Sequence, residues 1–295
     1  MKPRLVRLAV WTAAAFIVVG LAFAGSTYWR TRQIRQALYD AFTPVHIRNC
    51  TLQRFGSDND GGYLMCGNMI AAGESGYSYG INAQDDWGCE VTAATGIPIH
   101  QYDCYNTTVP ECSRGPTRFH AECVGPERDV LAGKPFDTMA NQIQKNGDTG
   151  KRLIVKMDVE GSEWRSLATA PDHVLEAIDQ MAVEFHGVEE AHFLETAARL
   201  HQFFYVAHVH QNNFLCQQGY DPFPGQVFEV LFVSKRLAVA DPWVNARGPS
   251  SLDAPNTFLA PDCQDSPGGH ELARVGRWLR RYATTAIDMV RWRLN

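Results

Sequence analysis

Nine residues of this chain combine chemical capacity with a position at or just beyond the end of a short apolar run: Gly80, Asn82, Asp103, Asp158, Glu160, Glu184, His186, His208 and His210. In an open α/β sheet, ligands bind in the crevice outside the carboxyl ends of the strands, so these residues are the candidates for a site. Asp103 follows Gly80 by 23 positions. A glycine turn and a ribose-binding acid are separated by about 20 in nucleoside-cofactor folds. An acid at that place accepts hydrogen bonds from two ribose hydroxyls. Glu184 and His186 have the capacity to remove a proton from a hydroxyl, the imidazole with an ordinary pKa of about 6.5. Asp158, Glu184 and His186 are also chemically able to hold a divalent metal, as are His208 and His210, whose alternate side chains share one face of a strand. Strand-end histidines without metal are commoner, and no metal is assigned.

The glycine turn narrows the cofactor. A dinucleotide needs G-x-G-x-x-G so that backbone approaches a pyrophosphate. Here the turn runs Gly80-Ile81-Asn82-Ala83-Gln84-Asp85-Asp86-Trp87-Gly88, poor in glycine and carrying two acids that repel phosphate. No G-x-x-x-x-G-K-[ST] loop is present either. S-adenosylmethionine carries a sulfonium and an ammonium and no phosphate, so an acidic loop suits it better than NAD or ATP. Tyr79, Trp87 or Trp164 would face the sulfonium through a cation–π contact.

The elements that position these residues follow from alternating apolar runs and helical patterns. Strands are predicted at Tyr77–Ile81, Pro98–Tyr102, Arg118–Val124, Leu153–Met157, Gln180–Phe185, Tyr205–His210 and Val227–Ser234. Helices are predicted at Trp87–Thr95, Phe136–Lys145, Ser162–Ala170 and Glu189–Phe203, with Glu163 placed where a helix dipole favours an acid. Strands alternating with helices build a parallel sheet. The last two strands are joined without a helical pattern, so they pair antiparallel. The expected fold is α/β, a Rossmann-like doubly wound seven-strand sheet with a reversed edge strand, preceded by one N-terminal transmembrane helix. With 295 residues, 45% hydrophobic and 20% charged, the chain is ordinary globular protein, and its net charge of −5 argues against nucleic acid as a partner.

The run Lys156-Met157-Asp158-Val159-Glu160-Gly161-Ser162-Glu163 is similar to the K-x-D-V-E-G-x-E motif of FkbM-type S-adenosylmethionine-dependent methyltransferases. Arg54-Phe55-Gly56, Asp60-Gly61-Gly62-Tyr63 and Ala182-Val183-Glu184-Phe185-His186 resemble a membrane-anchored branch of that family, so the likeness covers roughly Asn49 to Leu237. Tyr79 stands where many members carry an acid. The resemblance implies methyl transfer, often to oxygen, with S-adenosylmethionine as cofactor and a small-molecule, sugar or lipid-linked glycan acceptor. It implies that Asp158 and Glu160 flank cofactor and substrate, that Asp103 holds the ribose together with Gly80 and Asn82, and that Asp158, Glu184 and His186 are catalytic. Two other readings stay open: a catalytically silent binding module of the same fold, and another nucleoside-cofactor enzyme of the same sheet topology.

The flanks differ in character. Leu8 to Gly25 lacks charge over about eighteen residues, near the minimum for a membrane-crossing helix. Ala22-Phe23-Ala24 after a basic start is equally a signal-peptide pattern. Residues 1–26 are therefore an anchor or signal peptide, 27–44 a stalk, 45–240 the methyltransferase-like domain, 241–269 an irregular surface segment and 270–295 a basic amphipathic helix. That last helix sets six arginines against Glu271 and Asp288 and suits an anionic membrane or docking on the domain. The chain is expected to be a single-pass membrane protein; an anionic leaflet and a cytosolic methyl donor lean toward a cytosolic domain, the signal-like start toward the opposite side. Cys104, Cys112 and Cys123 pair as disulfides in an oxidising compartment or stay thiols in the cytosol, and Asn49 and Asn106 begin glycosylation sequons.

Overall fold

The computed structural model describes residues 25–216, 219–260 and 262–263. Among the described residues no helix is long and apolar enough to cross a membrane. The expected span from Leu8 lies outside them save for Gly25, and the basic segment 270–295 lies outside entirely.

Along the chain come α1 (25–41), β1 (Val45–Ile47), β2 (Leu52–Phe55), β3 (Tyr63–Cys66), β4 (Ser75–Tyr79), α2 (Asp86–Thr95), β5 (Ile99–Tyr102) and β6 (Thr117–His120). They are followed by β7 (Cys123–Val124), β8 (Asp129–Leu131), β9 (Lys134–Asp137), α3 (Met139–Lys145), β10 (Leu153–Met157), α4 (Glu163–Thr169) and α5 (Asp172–Ala177). The last elements are β11 (Ile178–His186), α6 (Ala191–Phe203), β12 (Phe204–Gln211), β13 (Val227–Ser234) and β14 (Ala240–Asn245). Seven strands form the central sheet in the order β12-β13-β11-β10-β4-β5-β6. All are parallel except β13, which runs antiparallel to both β11 and β12.

The reversed strand is therefore not at the edge, which corrects the expected arrangement. The reason is in the patterns. Every residue of β13 is buried, so it needs cover on both faces and both sides, whereas β12 alternates buried with half-buried positions and suits an edge. One face of the sheet is packed by α1, α3, α4 and α6, and the other by α2 and the β2–β3 hairpin.

Three local expectations are revised. The predicted strand Arg118–Val124 is two strands, β6 in the central sheet and β7 in a small sheet with β8 and β9. Phe136 belongs to β9; the helix begins at Met139, where the Thr138 hydroxyl accepts from the Asn141 amide at 3.2 Å and caps it. Helix α1 is no stalk: Leu38 and Phe42 are buried, and Phe42 sits among Trp164, Phe185, Phe228 and Phe232 at centroid distances of 5.3–6.2 Å. The Arg35 guanidinium is buried with it against Glu189 and the Gly219 carbonyl.

All eight cysteines are paired, as Cys50–Cys66, Cys89–Cys112, Cys104–Cys123 and Cys216–Cys263. The last one ties down the segment 241–269, expected as irregular surface: over its described residues that segment opens within β14, paired to β1, and buries Asn256.

Candidate functional site

Strand β10 ends at Met157 and the chain turns through Asp158-Val159-Glu160-Gly161 into α4. The turn is tight: Glu160 has φ +54° and Gly161 φ +104°. A left-handed glutamate costs of order 1 kcal/mol and persists only where its surroundings enforce it. Here the enforcing group is Glu163, which is fully buried. Its Oε2 accepts from the Gly161 amide at 2.9 Å and its Oε1 from the His186 amide at 2.6 Å. Glu163 is thus a clamp between two strand ends rather than only an acid at a helix start. The same Oε1 lies 3.3 Å from His186 Nδ1, which leaves Nε2 facing the other way.

What Nε2 faces is acidic. Glu160 Oε2 is at 3.3 Å and Glu184 Oε1 at 3.7 Å, and one ligand atom each from Asp158, Glu160 and His186 lie within 4.8 Å of one another. The Tyr63 hydroxyl reaches across from β3 to Asp158 Oδ2 at 3.1 Å and Glu184 Oε2 at 3.5 Å. Asn212, just past β12, donates to Glu184 Oε1 at 2.9 Å. Asp60, Asp158, Glu160, Glu184, His186, Asn212 and Asn256 line a cavity of about 280 Å³. Lys156 is the nearby cation, 3.6 Å from Asp158, but it gives a 2.6 Å bond to the Gly80 carbonyl.

Crowded carboxylates out of water disturb each other's titration. Burial first, then the charges of Asp158, Glu229 and Asp60, push the Glu184 pKa well above the usual carboxylate range, against the opposing bond from Asn212. Burial and Asp158 likewise raise Asp60. Burial works against the charged form of His186, but the bond to Glu163 and the neighbouring acids outweigh it and raise its pKa. Tyr63 is held protonated by burial and by Asp158 and Glu184, so its hydroxyl serves as a donor.

Of the residues expected at the site, Asp158, Glu160, Glu184 and His186 come together, from the ends of two adjacent strands. Gly80, Asn82 and Asp103 form a neighbouring cluster of their own. A Cβ on Gly80, whose φ is +73°, would stand 1.5 Å from the Asp158 carbonyl oxygen, so its bareness serves strand packing. Asp103 accepts three backbone amides: Asn82 and Tyr105 at 2.8 Å, and Asn106 at 2.9 Å. A carboxylate offers about four acceptor positions, so Asp103 retains room for one ribose hydroxyl rather than the two expected. His208 and His210 do share a strand face, but each is engaged by its own acid, His208 by Asp253 at 2.7 Å and His210 by Glu229 at 3.3 Å.

No protein-family model, no curated protein and no solved structure matches this chain. Its chemistry therefore rests on the residues themselves. Sequence reasoning missed Asp60 and Tyr63 as site residues, although Asp60-Gly61-Gly62-Tyr63 stands out as a turn motif. It also missed Asn212 and Asn256, which carry no local signal and arrive from the loop after β12 and the segment beyond β14.

Proposed function

We propose that the chain is an S-adenosylmethionine-dependent methyltransferase acting on a hydroxyl of a small-molecule, sugar or lipid-linked acceptor, with the FkbM-type resemblance as its family reading. One observation carries this: an acid-lined cavity at the carboxyl ends of the fourth and fifth parallel strands, directly after the D-V-E-G turn. Such a donor set fits a cationic sulfonium and repels the phosphates of NAD or ATP. The sheet also differs from the six-strand dinucleotide order 3-2-1-4-5-6 by the reversed strand inserted beside its edge.

S-adenosylmethionine would supply an activated methyl group for in-line displacement by the acceptor oxygen. For this chain's own residues, Asp158 and Glu160 attract and orient the cation, Asp103 takes one ribose hydroxyl, and Glu184 or His186 accepts the acceptor's proton. Positioning accounts for most of the rate in a displacement of this kind. The non-catalytic alternative keeps one specific observation in its favour, the near-saturation of Asp103 by backbone amides.

The test is thermal unfolding of the full chain with S-adenosylmethionine, NAD and ATP. A ligand at a hundred times its Kd stabilises by about 2.7 kcal/mol, a readily measured rise in Tm. A rise with the methyl donor alone supports the proposal, and no rise at millimolar donor overturns it. Turnover over a panel of hydroxyl acceptors then separates an enzyme from a silent relative.

A further inference from the structure

We propose that Asp158, Glu160 and His186 form a binding site for one divalent metal ion of the Mn2+ type, in the cavity that the buried Asn256 also lines. The site shares Asp158, Glu160 and His186 with the proposed function and gives them a second ligand, and it is tested without the methyl donor.

The geometry is close to that of a formed site. Opposed ligands on a cation with bonds of about 2.1–2.4 Å stand about 4.2–4.8 Å apart. The three ligand atoms already lie within 4.8 Å of one another, before any ion draws them inward. The imidazole is oriented as a ligating imidazole is. Its Nδ1 is set against the buried Glu163 carboxylate at 3.3 Å and its Nε2 is turned toward the acids. A carboxylate behind a histidine fixes both tautomer and ring angle, and metal-binding histidines almost always have such a partner.

A second observation comes from another residue of the cavity. Asn256 is 7% exposed, and its Nδ2 is committed to Glu229 at 2.7 Å. Its Oδ1 is buried with no hydrogen-bond partner among the described residues, and the residue lines the cavity. A buried carbonyl oxygen without a donor is unfavourable, and a nearby cation offsets that. Charge points the same way. The cavity gathers Asp60, Asp158, Glu160 and Glu184, and Lys156 beside it offers one ammonium, already bonded to a carbonyl. A monocation leaves that imbalance largely standing, whereas a divalent ion reduces it. Two carboxylates with a single imidazole suit Mn2+ better than zinc or copper, which favour thiolate- or histidine-rich sets. A metal here would bind and acidify an acceptor hydroxyl beside Glu184.

Mn2+ titration of the metal-stripped full chain, followed by electron paramagnetic resonance, tests this. We expect one saturable Mn2+ per chain, with nitrogen modulation of the spin echo from a single imidazole. Glu160, 88% exposed, is replaceable without risk to folding. Glu160→Gln should weaken binding by about 10-fold or more, the scale at which even supporting shells act. His186→Gln should abolish the nitrogen signature, and Glu90→Gln in the separate acidic groove beside Cys89 should change nothing. Absence of saturable binding, or binding of equal strength and signature in Glu160→Gln and His186→Gln, overturns the site. S-adenosylmethionine takes no part in the measurement, so its result stands apart from that of the thermal-shift test.

Discussion

Asp103 illustrates how one residue can be right in place and different in role. It ends the second parallel strand, where a ribose acid belongs, yet three amides of its own loops converge on it. It therefore holds the glycine turn and the following loop together before any ligand arrives. Asp103→Asn removes the charge from three hydrogen bonds, each of which is worth more when its acceptor is ionised. We expect a loss of about 1–3 kcal/mol in urea unfolding, together with weaker methyl-donor binding by calorimetry. Normal stability with weakened binding would mark a pure ligand contact instead. Glu163 teaches the converse: an acid whose sequence position suggests a helix dipole is in fact buried, and it locks His186.

At the scale of elements, α1 decides where the domain begins. Phe42, directly after it, is enclosed by four aromatic side chains from α4, β11 and β13. Phe42→Ala should cost about 3–5 kcal/mol of unfolding free energy, the range for deleting a buried phenylalanine. A change below 1 kcal/mol, in line with a surface position, would return the helix to the status of a stalk. The β5–β6 edge carries a pH dependence. His120 stacks on Tyr102 at 4.4 Å, and its Nε2 is 3.1 Å from His100 Nδ1. Burial first, then His100 and Arg118, push its pKa down to about 4. The unfolded chain binds this proton below about 6.5 and the folded chain only near 4, so stability is complete above pH 6.5 and falls toward pH 4. Discounted for the half-exposed ring, the loss is roughly 1–2 kcal/mol. His120→Phe keeps the stack and should lose less stability over that window, as read by melts of both proteins at pH 7 and pH 4.5.

The whole molecule is held by four disulfides whose cysteines run from Cys50 to Cys263. Bonds of this number form and persist in oxidising compartments, which weighs against the cytosolic lean drawn from the methyl donor. Alkylation before and after reduction should label none and then all eight cysteines by intact mass. Reduction should lower the Tm, since opening even one bridge typically costs 2–5 kcal/mol in small secreted domains. Free thiols in the unreduced protein would contradict the pairing.

The sequence by itself determined the parts whose signals are local. Leu153–Met157 and Val227–Ser234 appear as strands with the expected ends, because an apolar β-branched run between turn residues has few other places to go. Asp158, Glu160, Glu184 and His186 were legible for the same reason, since they follow strand ends and strand ends face one crevice. Only the tertiary structure decided the position of β13 inside the sheet, because strand order depends on which faces find cover, not on the strand's own pattern. It alone brought in Tyr63 from the hairpin, Asn212 from the end of β12 and Asn256 from beyond β14. These lie 95, 28 and 27 positions from the acids that they meet or neighbour at Asp158, Glu184 and Glu229, and chain spacing holds no record of such contacts. It also decided that Asp103 is spent on its own loops, since hydrogen-bond capacity is consumed by whichever amides the fold brings near.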